Sequence, residues 1–223
     1  MRIEVWSDLV CPWCYIGKRR LERALEAFAH RDDVTVVHRS FQLDPSSPRG
    51  QTRSRRDMLK SKFRLTDAQV DDMDVRMQRL AADDGLDYQL EGTVTGNTFD
   101  AHRVLQLAAE RGVQGAVLER LYRAYFTEHR SLFDRDSLVG LAAEAGLDPD
   151  DTRRVLDAET YADRVAADLE LARRLGATGV PFFVIDSRYG ISGAQPVDVF
   201  ADVLAQAWPA DQASPAPAAP PPQ

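Results

Sequence analysis

The chain has 223 residues, 44% hydrophobic and 28% charged, with a formal net charge of −7, which is length enough for one large domain or for a core domain with a sizeable insertion. The acidic balance argues against nucleic acid as the main partner, because phosphate binding draws on a basic surface. No stretch approaches the roughly 18 apolar residues of a membrane span, and no secretory signal is read at the N-terminus, so a cytoplasmic location away from the membrane is expected.

Arg2 to Trp6 is short, β-branched and aromatic, and predicts a buried strand. From Pro12 to about Ala29 the positions Tyr15, Ile16, Leu21, Leu25 and Phe28 recur at helical spacing. The only two cysteines stand at this junction, as Cys11-Pro12-Trp13-Cys14. A thiol does redox chemistry as thiolate, and the first turn of a helix favours negative charge through its unpaired N–H groups and macrodipole. Cys14, one turn further on, is close enough to attack a mixed disulfide formed at Cys11. Pro12 loses nothing there by lacking an N–H. Val34 to Phe41 predicts a second strand, ended by the turn cluster Asp44 to Pro48. Right-handed crossover makes the two strands parallel neighbours. Glu4, in a strand expected to be central, is a candidate for moving a proton to or from Cys14; as an edge or partly solvated acid it would have no such role.

Beyond the turn the pattern is helix after helix, with no strong strand signal until Pro181. The basic run Arg53-Ser54-Arg55-Arg56 with Lys60, Lys62 and Arg64 reads as a solvated helix face, the alternative being a seat for an anionic ligand or partner. Thr66 with Gln69 makes a capping box, Val70, Met73, Met77 and Leu80 form a stripe, and Gly85 marks the stop. Asn97 or Thr98 caps a helix ending near Gly112, and Val117 to Phe126 continue the pattern. Further helices are predicted over Asp136 to Ala145, from Asp148-Pro149, and from about Thr160 to Gly176. Val180 to Asp186 and Tyr189 to Gly193 form a hairpin, Val197 to Ala207 a closing helix, and the chain from Pro209 a Pro/Ala-rich tail with too little apolar content to pack.

The stretches Ser7 to Gly17, Asn97 to Arg103, Gly179 to Val184 and Ile191 to Gln195, in this order, resemble the DsbA family of thioredoxin-fold oxidoreductases, in its FrnE-type cytosolic branch, over roughly residues 1 to 207. The resemblance implies an α/β thioredoxin fold with a large helical insertion between the second and third strands. Residues 1–48 and 161–207 would form the thioredoxin-like domain, 49–160 the inserted helical subdomain, and 208–223 a disordered tail. It implies a thiol-disulfide oxidoreductase or isomerase with Cys11 as attacking thiolate, Cys14 as buried resolving thiol and a cis Val180–Pro181 bond. Val180 would then offer its backbone to a substrate strand, Pro181 would keep the sulfurs free of metal, and Pro12 and Trp13 would contact substrate. Asn97 and His102 sit in a segment that resembles a family motif and are auxiliary candidates for lining the cleft, although a lone His on a helix commonly packs or caps. Trp13 stands where the DsbA pattern carries His, and its lack of positive charge predicts a less oxidising couple than in a secreted DsbA.

No resident cofactor is expected beyond the redox-active disulfide, with glutathione a candidate co-substrate. Partners are a protein or small thiol or disulfide substrate and a recycling reductant or oxidant. A metal site is not expected: zinc wants four ligands, and His30, His38, His102 and His129 lack tight spacing. The competing activity is a glutathione-dependent isomerase or transferase of the kappa-class or 2-hydroxychromene-2-carboxylate isomerase type, which shares this fold and typically has Ser where this chain has Cys11. A non-catalytic module with a vestigial site is the remaining class, disfavoured by the intact pair.

Overall fold

β1 (Arg2–Ser7) leads through α1 (Pro12–Glu26) to β2 (Thr35–Ser40), and the strands pair in parallel with Ile3 opposite Val36 and Ser7 opposite Ser40, as the crossover argument requires. The computed structural model describes residues 1–208. Next come β3 (Thr52–Ser54), α2 (Arg55–Phe63), α3 (Asp67–Asp83), β4 (Val94–Gly96), α4 (Phe99–Glu110), α5 (Gln114–Phe126), α6 (Arg135–Glu144), α7 (Pro149–Asp157) and α8 (Ala162–Arg174). The chain then returns to the sheet with β5 (Phe182–Ile185), β6 (Tyr189–Ser192) and α9 (Val197–Ala207). β5 pairs antiparallel with β1, so the sheet order is β2-β1-β5-β6. This is the DsbA-like thioredoxin fold expected from the sequence.

Alternation along β1 sends Ile3 and Val5 to one face, where Leu21 and Ala24 of α1 and Phe200 and Leu204 of α9 cover them. Trp6 points to the other face, against Ala172 of α8, and its indole N–H donates to the Asp168 carbonyl at 2.9 Å. The second side of α1 packs into a larger core: Cys11, Cys14, Tyr15 and Ile16 join Val104, Leu118, Tyr122 and Phe126 of the helical block. The dithiol therefore lies on the seam between sheet and helices.

The local signals explain the helix ends. Thr66 and Gln69 close the predicted capping box, and Asp148 accepts from two N–H groups beside Pro149. Three readings are corrected. β3 and β4 form a two-stranded antiparallel ribbon too short to show periodicity; its Gly96 is required because a Cβ there would lie 2.7 Å from the Gln51 carbonyl oxygen. The basic run is not one solvated face: Arg56 and Lys60 pair with Asp71 and Asp67 of α3, while Arg55 is buried against Asp74 at 2.8 Å. Trp208, grouped with the tail, stacks on His30 with ring centroids 4.3 Å apart; the rest of the predicted tail lies outside the described residues.

Candidate active site

Cys11 is the N-cap of α1 and Pro12 its first helical residue, the arrangement that leaves first-turn N–H groups facing a thiolate. The Cys11 N–H donates to the Asp8 carbonyl at 3.1 Å and the Cys14 N–H to the Cys11 carbonyl at 3.0 Å. Both are free thiols, 4% and 2% exposed. Burial pushes the Cys14 thiol well above its ordinary value, with the hydrogen bond to Cys11 and the charges of Cys11 and Asp8 adding to the rise. Cys14 is thus held protonated until it is called on.

The loop before β5 is brought against the pair by a cis Val180–Pro181 bond. Cys11 Sγ donates to the Val180 carbonyl at 3.5 Å. Gly17 permits this docking, since a Cβ there would lie 2.9 Å from Pro181 Cγ and 3.2 Å from Phe183 Cζ. From the helical block, the Tyr88 hydroxyl donates to the Pro12 carbonyl at 2.7 Å, fixing the other side of the turn.

Cys11 opens into a cleft of about 360 Å³. Pro12 and Trp13 form one wall and Gly179 and Val180 another, with Met58, Met73 and Met77 between; Trp13 is 39% exposed. Arg53, Arg55 and Lys62 bring positive charge to the lining. Three members of the basic run thus line the cleft, Arg53 paired with Asp44 at 3.2 Å and Arg55 with Asp74 at 2.8 Å. Methionine thioethers adapt to varied apolar shapes, so the lining suits an apolar group with an anionic neighbour.

Six of the nine residues singled out from sequence meet here: Cys11, Cys14, Pro12, Trp13, Val180 and Pro181. Glu4 does not. It projects to the α8 face of the sheet, away from α1, and Arg39 holds its carboxylate at 2.9 Å; an acid committed to a guanidinium on the far face is not placed to move the Cys14 proton. Asn97 is a fastener instead of a cleft residue: its amide donates to the Ser47 carbonyl at 2.6 Å and its oxygen accepts from Gln42 and Phe99. His102 lies beneath the site, 1% exposed, with Nε2 3.5 Å from Asp8 Oδ1. Asp8 is the acid that sequence reasoning missed. The signal available was a carboxylate three residues before Cys11, in Trp6-Ser7-Asp8-Leu9-Val10.

The DSBA-like thioredoxin domain family matches residues 2–205. Protein YwbO of Bacillus subtilis (strain 168) is 30% identical over 201 residues, which cover 90% of this chain and 94% of that protein. The crystal structure of the probable DsbA oxidoreductase SCO1869 from Streptomyces coelicolor is 48% identical, with a TM-score of 0.91 over 98% of this chain and 94% of that one. The cytosolic disulfide reductase DsbM from Pseudomonas aeruginosa, solved also with GSH, shares the fold at 23% identity and a TM-score of 0.64, over 92% and 98% of the two chains. A Cys-Pro-Trp-Cys turn at the head of α1, a facing Val-Pro loop and a match running nearly end to end lead to one assignment: the chain belongs to the DSBA-like thioredoxin domain family, a family of thiol-disulfide oxidoreductases.

Proposed function

We propose that the protein exchanges a Cys11–Cys14 dithiol or disulfide with peptide or small-molecule thiols through a mixed disulfide at Cys11, in the cytoplasm. The observation that supports this most is the position of Cys11 Sγ, at a helix N-terminus, on a substrate-sized cleft and 3.5 Å from the Val180 carbonyl. Cys11 attacks a disulfide, the substrate sulfur leaves as thiolate, and Cys14 attacks Cys11 to release the second half. Val180 offers main-chain polar groups to an extended substrate, and Trp13 offers an apolar wall. Lys62, with Arg53 shared with Asp44, complements carboxylates, which makes glutathione a fitting co-substrate.

Reduction of insulin and of glutathione disulfide, with the couple's potential measured against glutathione, tests the reading. Cys11→Ala is expected to abolish turnover and Cys14→Ala to stop it at the mixed disulfide. Turnover indifferent to both substitutions, or glutathione-dependent isomerisation supported by Cys11→Ser, would overturn it in favour of the isomerase activity.

A further inference from the structure

The segment between α3 and β4 brings one side chain to the back of the dithiol turn, where the exchange reaction described above gives it no part. Tyr88, 3% exposed, is fixed from both flanks. Gln78 of α3 donates its amide to the Tyr88 carbonyl at 3.0 Å, and the Gln89 N–H donates to the carbonyl of Phe126, at the end of α5, at 2.6 Å. The Tyr88 and Phe126 rings stack with centroids 4.6 Å apart. So held, the Tyr88 hydroxyl donates to the Pro12 carbonyl at 2.7 Å. Burial pushes that hydroxyl far above the ordinary phenol range, with the charges of Cys11 and Cys14 adding to the rise, so it stays an O–H donor.

The Pro12 carbonyl and the Trp13 N–H are the two ends of one peptide unit. Of the four N–H positions that open α1, that of Cys11 goes to the Asp8 carbonyl, Pro12 has none, and that of Cys14 goes to the Cys11 carbonyl. The Trp13 N–H is left to face the side chain of the N-cap, which is Cys11. A donor on the carbonyl end of an amide polarises it, and the N–H at the other end becomes the stronger donor. We propose that Tyr88 is a positioning residue for the Cys11 thiolate: it holds the Pro12–Trp13 peptide and strengthens the N–H that this peptide turns toward the sulfur. This rests on the oxidoreductase reading above. It makes the helical block, by way of one hydroxyl, a determinant of Cys11 reactivity and of the potential of the couple. The titratable groups around Tyr88 are Cys11, Cys14 and Tyr15 from α1 and Asp84 at the end of α3. Across the cleft, Asp8, Asp44, Arg53, Arg55 and Lys62 face the turn. All are kept in Tyr88→Phe, which removes the hydroxyl and retains the stacked ring.

Stopped-flow reaction of the reduced full-length protein with 5,5′-dithiobis(2-nitrobenzoate), followed from pH 4 to 10, reads Cys11 in the phase whose rate scales with reagent. Loss of one hydrogen bond's support is expected to lower the thiolate share about fivefold. The less stabilised thiolate is also the better nucleophile, by about twofold for that change. Tyr88→Phe should therefore react roughly two- to threefold more slowly than wild type where Cys11 is mainly thiol, and about twofold faster where it is mainly thiolate, so that the two pH profiles cross. On the thiolate side of the crossing the couple should be about 20 mV more reducing, the fivefold change converted at about 30 mV per tenfold. Replacing Tyr88 by 3-fluorotyrosine, a stronger donor of nearly the same size, should move the profile and the potential the other way. General damage to the fold would change the rate by one factor throughout. A ratio of the two rates that is the same at every pH, or a fluorotyrosine protein displaced in the same direction as Tyr88→Phe, overturns the proposal. Absence of the reagent-dependent phase from the wild type, or its persistence in Cys11→Ala, would instead overturn the oxidoreductase reading, and the role of Tyr88 with it.

Discussion

Two buried carboxylates meet one face of α4 a helical turn apart, Asp8 beside His102 and Asp168 beside Gln106, and are treated in opposite ways. Asp168, on α8, has every reachable oxygen occupied: Arg39 donates to it at 3.0 Å, the Ser40 N–H at 3.0 Å and Gln106 at 2.8 Å, while its carbonyl takes the Trp6 indole N–H. Asp8, beside the dithiol, keeps one oxygen bare against a histidine that is itself unpartnered. A fully satisfied polar network rigidifies and specifies packing, whereas a partly satisfied one keeps groups whose protonation can change. The first cluster joins α8 to the sheet, and the second lies where a thiol must gain and lose a proton.

Damage to the first cluster therefore falls on stability and spares Cys11. Asp168→Ala removes the acceptor shared by Arg39, Gln106 and the buried Ser40 N–H, leaving Arg39 on Glu4 and Gln106 on the Ser40 hydroxyl, and is expected to cost about 3 kcal/mol, read as a lower urea midpoint, with the rate of Cys11 alkylation little changed; an equal fall in both would break the comparison. On the other side, Cys14 makes stability depend on pH. Its folded value is raised, so its contribution is fully present below the unfolded thiol value of about 8.5 and is lost as pH rises toward the raised value, by up to about 1.4 kcal/mol per unit. Urea unfolding of the reduced protein at pH 7.5 and 9.5 should show this decline, and Cys14→Ala should flatten it. Gly17→Ala sharpens the link between sheet and site. Overpacking against Pro181 of about 1–3 kcal/mol outweighs a helix gain of roughly 1 kcal/mol, so a net loss of about 1 kcal/mol in stability with slower Cys11 chemistry is expected; a stabilised, fully active variant would show that the loop does not need the close approach. Smallest is Lys62→Ala, where an exposed charge at the cleft should raise KM for an anionic disulfide roughly two- to fivefold at low salt and less at high salt. No change at either ionic strength would remove Lys62 from the binding surface.

Much of this was legible in the sequence, for identifiable reasons. The β1-α1-β2 unit, the capping box at Thr66, the Asp148-Pro149 start and the closing hairpin are local patterns with local causes. Cys11 and Cys14 were found because their chemistry requires proximity along the helix, and Val180 and Pro181 because the sequence there resembles a family motif. What the sequence hid depends on contacts between distant residues. Glu4 looked like the buried acid until Arg39, 35 positions away, was seen to occupy it. Arg53 and Lys62 turned toward the cleft through the short β3-β4 ribbon, which six residues cannot announce. Asp8 and His102 are 94 positions apart, and nothing in the spacing says that they meet.

Covalent exchange at Cys11 becomes visible when its mixed disulfide is trapped. Reduced Cys14→Ala protein is mixed with glutathione disulfide and analysed by intact mass and peptide mapping. An adduct of one glutathione is expected, located on Cys11, that is removed by dithiothreitol and does not form when Cys11 is also replaced. No adduct, or the same adduct in Cys11→Ala protein through Cys14, would contradict it.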